Sequence, residues 1–157
     1  MPTVWITDKN EQEEIIRKCD SCAMSMVDPN GNKPYVVMMN YGYEEGTIYF
    51  HGDPKGRKME ILRTNPEICL TMSTDHSIYY QNEKVACSYG MNYKSIVAEG
   101  KVEFVDDYDE KVKALNLIMG QYVNGEFSYN SPAVKQVAVF KVNLTNLKAK
   151  NFGRFVR

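Results

Sequence analysis

The sequence predicts a mainly β fold, a small antiparallel barrel with a few flanking helices. Short runs rich in β-branched and aromatic residues recur between turn-forming residues, and the helical segments are too few for alternating βαβ units. Gly100 lies inside a long predicted strand, where a glycine often marks a bulge or a barrel bend. The length of 157 residues suffices for a real core, and we expect a single domain over residues 1–157.

The first half of the chain supplies most of the predicted barrel. A short amphipathic helix over residues 10–18 begins with capping-box character at Asp8 and Glu11. A strand over residues 23–28 and a turn lead into a longer strand over residues 35–43. The first half of that longer strand is apolar at consecutive positions, which indicates burial on both faces or membership of a barrel.

The longer strand is followed by a turn at residues 44–46 that returns the chain antiparallel as a strand over residues 47–51. A helix over residues 55–64 ends at Asn65, since the residue before a proline leaves the helical region. Another strand is predicted over residues 67–74. These elements form a hairpin, a helix and a further strand in close succession.

Residues 75–91 mix tyrosines with polar residues and are interpreted as a strand end followed by an exposed loop. A long strand covers residues 93–105. Asp106 or Asp107 caps the next helix, which has an apolar stripe. The stripe consists of Val112, Leu115, Ile118, Met119 and Tyr122.

The C-terminal part contains a turn-rich segment at residues 124–132, which we interpret as a mobile loop. The last strand is predicted over residues 136–144. The tail over residues 148–157 is basic, contains Phe152 and Phe155, and is predicted to be irregular. No segment shows an internal repeat or low complexity.

Composition and charge exclude several classes of protein. The net charge is −1, and neither a basic excess nor an acidic tail indicates a nucleic-acid or strongly charged partner. The N-terminal residues resemble no secretion signal, and no run of about 18 apolar residues is present. We therefore expect a cytoplasmic protein that binds neither nucleic acid nor a membrane.

The four cysteines are expected to be free thiols. Cys19 and Cys22 form a C-x-x-C pair, but zinc would need two further ligands and the sequence has no second such pair. A redox pair usually lies at the start of a helix, where the helix dipole lowers the thiol pKa. This pair follows the end of a predicted helix, so we interpret both residues as small buried or half-buried thiols.

A candidate anion site lies where the strand over residues 47–51 passes into the next helix. Gly56 permits close approach of the backbone, and Arg57 and Lys58 follow it. Backbone amides at a helix start together with two cations suit a phosphate group. A solvated helix start is the alternative interpretation.

The preceding hairpin offers an apolar, aromatic-edged wall that suits a flat ring. Strand backbone groups and Asn40 supply polar partners for the edge of such a ring, and methionines adapt well to it. Plain barrel core is the alternative interpretation. A phosphate site beside a flat apolar wall indicates a phosphorylated planar cofactor, and FMN is the leading candidate.

His51 ends the second strand of the hairpin beside the candidate phosphate loop. It is a candidate for a hydrogen bond to the cofactor or for proton transfer, and a purely structural imidazole remains the alternative. The sequence lacks hydrolase, metal-site and dinucleotide-binding motifs. A nicotinamide would therefore act as a passing substrate and would not occupy a Rossmann domain.

The segments MNYGY, YFHG, GRK and SYGMNYKSIVAEGKVEFV occur in the order found in the FMN-binding split barrel, the pyridoxamine 5′-phosphate oxidase-like superfamily. The chain most resembles the branch that contains nitroimidazole-resistance (Nim-type) proteins, over residues 11–142. The resemblance implies a six-stranded antiparallel split β-barrel with flanking helices. It also implies a homodimer with two FMN sites between its subunits.

The resemblance also implies which residues contact the flavin: one strand beside the isoalloxazine, the pair that follows it, the phosphate-binding pair and a polar contact. In this sequence they are Val37, Met38, Met39, Asn40, Tyr41, Phe50, His51, Arg57, Lys58, Lys94 and Ser95. His51 is the candidate catalytic residue. Ser95 is shorter than the glutamine that is common at its position in the family, so that contact is absent or bridged by water.

The implied activity is FMN-dependent reduction of a small aromatic or nitro compound, with NADH or NADPH as a candidate electron donor. True pyridoxamine-phosphate oxidases carry a C-terminal R-L-H-D-R-type motif and a tryptophan that have no match here, so oxidation of vitamin B6 is not expected. A non-enzymatic FMN-binding protein for storage or sensing is one alternative. A barrel rededicated to heme or another planar ligand, with His51 or His76 as axial ligand, is another. A structural dimer without a cofactor is the third.

Overall fold

The computed structural model describes residues 3–153, in which nine strands and four α-helices form one antiparallel sheet with helices on its flanks. The strands are β1 (Thr3–Ile6), β2 (Cys22–Asp28), β3 (Lys33–Met39), β4 (Gly42–Glu44), β5 (Thr47–Gly52), β6 (Glu67–Tyr79), β7 (Gly90–Val105), β8 (Ala138–Asn143) and β9 (Thr145–Phe152). The helices are α1 (Lys9–Lys18), α2 (Arg57–Thr64), α3 (Tyr108–Tyr122) and α4 (Ser131–Gln136).

The sheet follows the order β3-β2-β6-β7-β8-β5-β4, and β9 joins it by pairing with both β7 and β1. The path does not close, since β3 and β4 lie at its two ends, and every pairing is antiparallel. The predicted fold class, a split antiparallel barrel with flanking helices, is confirmed. There are more strands than six because one predicted strand is divided and the chain adds β1 and β9.

The single strand predicted over residues 35–43 is interrupted at Asn40 and Tyr41. The Tyr41 side chain turns into the core, where its hydroxyl contacts the carbonyl oxygens of Ile16 and, at 3.1 Å, Cys19. Its backbone N–H donates to the hydroxyl of Tyr122 at 3.1 Å, and not to a neighbouring strand. A side chain from a distant helix therefore takes the bond that would have continued the strand.

β3 is exposed on one face. Val36 and Met38 are 60% and 65% exposed, whereas Val37 is half-buried and Met39 is buried. The apolar run in β3 therefore reflects membership of the barrel. It does not reflect burial on both faces within one chain.

The strand end and exposed loop predicted over residues 75–91 are present, since β6 continues to Tyr79 and the loop that follows contains one 3₁₀ turn at Ala86–Ser88. The second half of the chain departs from expectation at two other places. α4 occupies part of the segment predicted as loop, so the last predicted strand begins only at Ala138. The tail predicted as irregular forms β9 up to Phe152, while Phe155 lies outside the described residues.

Two hydrophobic clusters make up the core. The larger fills the barrel, and Phe50 and Phe140 stack at its centre with ring centroids 5.3 Å apart. The smaller lies under α3 and α4. It consists of the buried residues Val105, Ala114, Leu115, Ile118, Val134 and Val139. Of the predicted α3 stripe, Leu115 and Ile118 are fully buried, and Tyr122 is 40% exposed.

All four cysteines are free, and the C-x-x-C pair is buried. Burial is the main reason that the pKa of Cys19 rises to about 11 and that of Cys22 to about 12. Both thiols are therefore protonated at pH 7, as the interpretation of buried thiols requires. Within residues 3–153 no helix is long and apolar enough to cross a membrane, and no group of three His, Cys, Asp or Glu side chains is arranged for a metal ion.

Candidate functional site

The candidate site surrounds the start of α2. Gly56 precedes the helix with φ of 97°, a left-handed conformation that glycine adopts without strain, and no side chain caps the first turn. An uncapped first turn leaves backbone N–H groups available, and the helix dipole favours negative charge there. Arg57 and Lys58 are the first two helical residues, as the sequence predicts.

Arg57 is a positioned cation with free donors. Its Nε and one Nη each lie 3.3 Å from Asp28 Oδ2, and its guanidinium carbon lies 4.4 Å from the centre of the Tyr35 ring. The side chain is 49% exposed. Stacking on Tyr35 fixes the plane of the guanidinium, so its remaining N–H groups can bind an incoming anion.

Lys58 points to the other end of β3 and is partly buried. Its Nζ lies 3.4 Å from Met39 Sδ, and in the part of the chain that the structure describes no carboxylate lies within ion-pair distance of it. Burial lowers the pKa of Lys58, and the more distant charge of Asp53 acts in the opposite direction. A partly buried ammonium without a carboxylate partner is stabilised when an anion binds.

His51 lies at the end of β5 beside this ammonium and opposite Val139 of β8. His51 is exposed on one side, but partial burial of its ring, and after it the charge of Lys58, lowers the pKa of His51 below 6.5. The imidazole is therefore neutral at pH 7, with one ring nitrogen protonated and the other carrying a free lone pair.

We predict that Lys58→Met raises the pKa of His51. The substitution removes the positive charge and keeps a side chain of similar length, so burial remains and the electrostatic repulsion disappears. A titration of the imidazole resonances by NMR measures the change, with His76 as internal reference. As pH falls through 6.5, His51 is protonated in the unfolded state before it is protonated in the folded state, and the folded state loses stability. Because the pKa of His51 is less lowered in the variant, the variant should lose less stability over this pH range than the parent protein.

Lys55→Met is the matched control, since Lys55 lies in the loop just ahead of α2 and is not among the causes of the lowered pKa. A pKa of His51 that is unchanged in Lys58→Met, or equally changed in both variants, would contradict the assigned interaction.

The apolar residues predicted to contact a flat ring lie on both faces of β3. Val37 and Met39 lie on the same face as Tyr35, toward the two cations, and Met38 lies on the opposite face. β3 is at one end of the sheet, so within residues 3–153 one edge of its backbone is unpaired. Unpaired strand N–H and C=O groups suit the polar rim of a flat ring.

Three predicted site residues have side chains engaged elsewhere. Tyr41 and Phe50 are fully buried in the core, so a ligand can reach only their backbone. The Asn40 amide donates to the carbonyl of Asp20 at 3.1 Å. Their flavin contacts stay predictions.

Within one chain Lys94 and Ser95 are not brought to Arg57. Lys94 Nζ pairs with Glu11 Oε1 at 2.9 Å, and Ser95 is buried on β7. Lys94 lies opposite Thr74 of β6, six residues along that strand from Ile68, which neighbours the Arg57 end of the sheet. Six strand residues span roughly 20 Å.

His76, the alternative axial ligand, contacts the Ser73 hydroxyl at 3.0 Å through Nε2 and stacks on Tyr93 with ring centroids 6.1 Å apart. It lies on β6, among the residues at the Lys94 end of that strand.

The sequence analysis missed two parts of the site. Tyr35 and Asp28 hold Arg57 through contacts between elements that no local pattern reveals. It also missed a cavity of about 240 Å³ beside His51, bounded by α3 and α4. Asn130 followed by Pro132 is a helix-start pattern, and it is the signal that could have revealed α4.

Comparison with known proteins adds a family and several structural neighbours. A family model described as pyridoxamine 5′-phosphate oxidase matches residues 8–151. A solved structure of a candidate 5-nitroimidazole antibiotic resistance protein from Bacteroides thetaiotaomicron VPI-5482 is 43% identical, with a TM-score of 0.87 over 97% of this chain and 89% of that chain. Among curated proteins, none matches.

Two more distant structures share the fold. An FAD and heme binding protein from Mycobacterium smegmatis is 11% identical, with a TM-score of 0.84 over 96% of this chain and 74% of that chain. An FAD-binding protein from Mesorhizobium loti is 16% identical, with a TM-score of 0.69 over 98% of this chain and 100% of that chain. At such identities the similarity establishes the fold alone.

Proposed function

Since the chain belongs to the pyridoxamine 5′-phosphate oxidase family, we propose that it binds FMN and reduces a small aromatic or nitro compound. The observation that carries the proposal is the partly buried ammonium of Lys58, which lacks a carboxylate partner among the described residues and adjoins an uncapped helix start. The description of the 43% identical protein, a candidate for 5-nitroimidazole resistance, supports the class of substrate.

The residues present fit FMN. Arg57, Lys58 and the first amides of α2 match the doubly charged phosphate, and the unpaired edge of β3 matches the hydrogen-bonding rim of the ring. Val37 and Met39 give an apolar surface beside these groups. When bound, the flavin supplies hydride and electron transfer, while the protein supplies binding, orientation and electrostatics.

The roles of the chain's own groups follow from their surroundings. Arg57 and Lys58 neutralise the phosphate, and because Tyr35 and Met39 hold them at opposite ends of β3, at least one of the two side chains turns toward the phosphate when it binds. His51 is neutral at pH 7, so it can accept a proton at its free ring nitrogen or release the proton from the other one. No strong acid or base is required for reduction of a nitro group bound on a flavin.

A homodimer with FMN between its subunits is part of the proposal. It is supported by the exposed apolar side chains of Val36 and Met38, and by the roughly 20 Å of strand that lie between Lys94 and the Arg57 end of the sheet in one chain. A second copy would bring its own Lys94 and Ser95 to the ring. Sedimentation that finds a monomer with tightly bound FMN would contradict this arrangement.

The experiment is an absorption spectrum of the purified protein during titration with FMN, followed by anaerobic addition of NADH or NADPH. We expect flavin bands near about 370 and 450 nm, bleaching by the nicotinamide, and recovery on adding 2-methyl-5-nitroimidazole. Bands that bleach with dithionite but do not recover with the nitro compound would leave a non-enzymatic flavin protein. A Soret band would support the heme alternative, and absence of any flavin band would refute FMN binding.

His51→Asn tests the candidate catalytic residue in the same assay. Unchanged FMN binding and unchanged turnover in this variant would remove His51 from the mechanism.

A further inference from the structure

A cavity of about 240 Å³ lies between the end of β5 and the helices α3 and α4. His51 contributes the β5 side, Ile118 and Met119 contribute the α3 side, and Tyr129, Asn130 and Val134 contribute part of the remaining wall. Residues of the same chain thus enclose the cavity on three sides.

The volume selects a ligand of about one ring. An engineered apolar cavity of about 150 Å³ binds benzene, and sites for drug-sized molecules start at about 300 Å³. At about 240 Å³ this cavity suits one substituted ring and is too small for a flavin.

The residues that line the cavity favour an uncharged ligand. No carboxylate, lysine or arginine contributes to it among the described residues, and the imidazole of His51 is neutral at pH 7. The Tyr129 hydroxyl donates to Asn116 Oδ1 at 2.8 Å, so its proton is already committed. A charged ligand would lose its hydration here without gaining a partner of opposite charge.

Asn130 supplies a hydrogen-bond donor in addition to the ring N–H of His51. Asn130 Oδ1 accepts from the backbone N–H of Ala133 at 3.3 Å and caps α4. The carboxamide nitrogen of Asn130 has no partner among the described residues, and because this exposed side chain lines the cavity, the nitrogen is available to a ligand there. An oxygen or nitrogen acceptor at the edge of a ring would satisfy it.

The wall formed by α4 is fixed in place. Lys111 of α3 is buried, and its Nζ donates to the carbonyl of Val137 at 2.8 Å and lies 3.4 Å from those of Val134 and Lys135. These carbonyls end α4, a helix of six residues that is too short to be stable alone. The cavity is therefore already formed in the absence of a ligand.

The cavity adjoins the candidate phosphate site. A wider groove of about 670 Å³ is lined by the loop ahead of α2, from Gly52 to Lys55, and shares Ala133 and Val137 with the cavity. A ligand in the cavity thus lies beside His51 and next to a groove that reaches the loop ahead of α2.

We infer that this cavity binds a single uncharged aromatic ring with a hydrogen-bond acceptor at its edge, such as a nitroarene, with Asn130 as donor and His51 beside the ring. The inference deepens the proposed function and rests on it for the reaction, but the binding step itself needs no flavin.

Nitrobenzene and benzoate are the probes, since they have nearly the same shape and differ in charge. Binding is measured by ligand-observed NMR on the full chain, with and without FMN. We expect nitrobenzene to bind at least tenfold more tightly than benzoate in both states.

Three variants locate the bound ring. Ala133→Phe fills the cavity and should weaken nitrobenzene binding by at least tenfold. Asn130→Asp keeps the helix cap but replaces the donor with a carboxylate, and should weaken it about tenfold. Lys135→Met lies on the same helix and does not line the cavity, so its affinity should equal that of the parent protein.

Equal affinity for benzoate and nitrobenzene, or nitrobenzene binding that Ala133→Phe and Asn130→Asp leave intact, would overturn the inference. If Ala133→Phe fails to fold, Asn130→Asp alone decides. An FMN titration of the same proteins separates the two proposals. If the parent protein binds nitrobenzene but not FMN, the proposed function is refuted and the cavity inference stands. If it binds FMN but not nitrobenzene, the cavity inference is refuted and the proposed function stands.

Discussion

Replacing both Arg57 and Lys58 with alanine is expected to weaken FMN binding by about 10²–10³-fold. A hydrogen bond to a charged group contributes about 1.5–3 kcal/mol, which corresponds to about ten- to hundredfold in affinity for each residue. The two effects should fall short of additivity, because neighbouring cations bind the same group. Fluorescence quenching of FMN during titration measures the affinity.

The two single variants should differ in how strongly they weaken FMN binding. Arg57 already pairs with Asp28 and is 49% exposed, so it must exchange a partner when phosphate binds. Lys58 is partly buried and its Nζ contacts only a sulfur atom among the described polar groups, so it gains more. We therefore expect Lys58→Ala to weaken FMN binding more than Arg57→Ala.

Two controls isolate the phosphate. Riboflavin carries the same ring without the phosphate, so its affinity should be nearly the same in the parent and the double variant. Lys55→Ala removes a cation from the loop just ahead of α2 and should leave FMN affinity nearly unchanged. If the double variant binds FMN as tightly as the parent protein, the phosphate lies elsewhere.

Gly42→Ala is expected to destabilise the fold by about 3 kcal/mol or more. A Cβ at Gly42 would lie 2.4 Å from the backbone carbon of Leu117 and 2.5 Å from the backbone nitrogen of Ile118, both on α3. A helix backbone cannot move aside as the end of a flexible side chain can, so α3 must separate from β4. Urea unfolding followed by circular dichroism measures the loss of free energy of unfolding.

Gly120→Ala is the matched control, because it makes the same chemical change within α3. A Cβ at Gly120 meets no atom within 4 Å, and its φ is not in the left-handed region. Alanine in place of glycine inside a helix stabilises by about 0.5–1 kcal/mol. Similar effects of the two variants would show that close packing of β4 on α3 is unimportant.

The order of strands and helices was accessible from the sequence where the signal is local. The capping of α1 by Asp8 and the turn between β4 and β5 both follow from neighbouring residues, and the structure has them where expected. The break at Tyr41 was not accessible, because it depends on the hydroxyl of Tyr122, some eighty residues away in the chain.

Some residues of the candidate site could likewise be predicted from local sequence, and others could not. The cations at Arg57 and Lys58 follow from a strand, a glycine and a helix start in sequence, and the structure places them at that start. Their partners Tyr35 and Met39 come from another strand, and alternation alone does not say which face of β3 meets α2. The cavity was missed because α4 was interpreted as loop, and its boundary depends on the buried Lys111.

The attachment of α4 at both ends has a consequence for how this protein can change over evolutionary time. Asn130 caps the helix at its start and Lys111 holds its end, so both attachments lie outside Ser131–Gln136. A substitution at Ala133, which lines the cavity between them, would alter the shape presented to a ring while the barrel keeps its register, whereas Val134 belongs to the buried core. Ligand preference can therefore change at one position of this short helix at little cost to the scaffold.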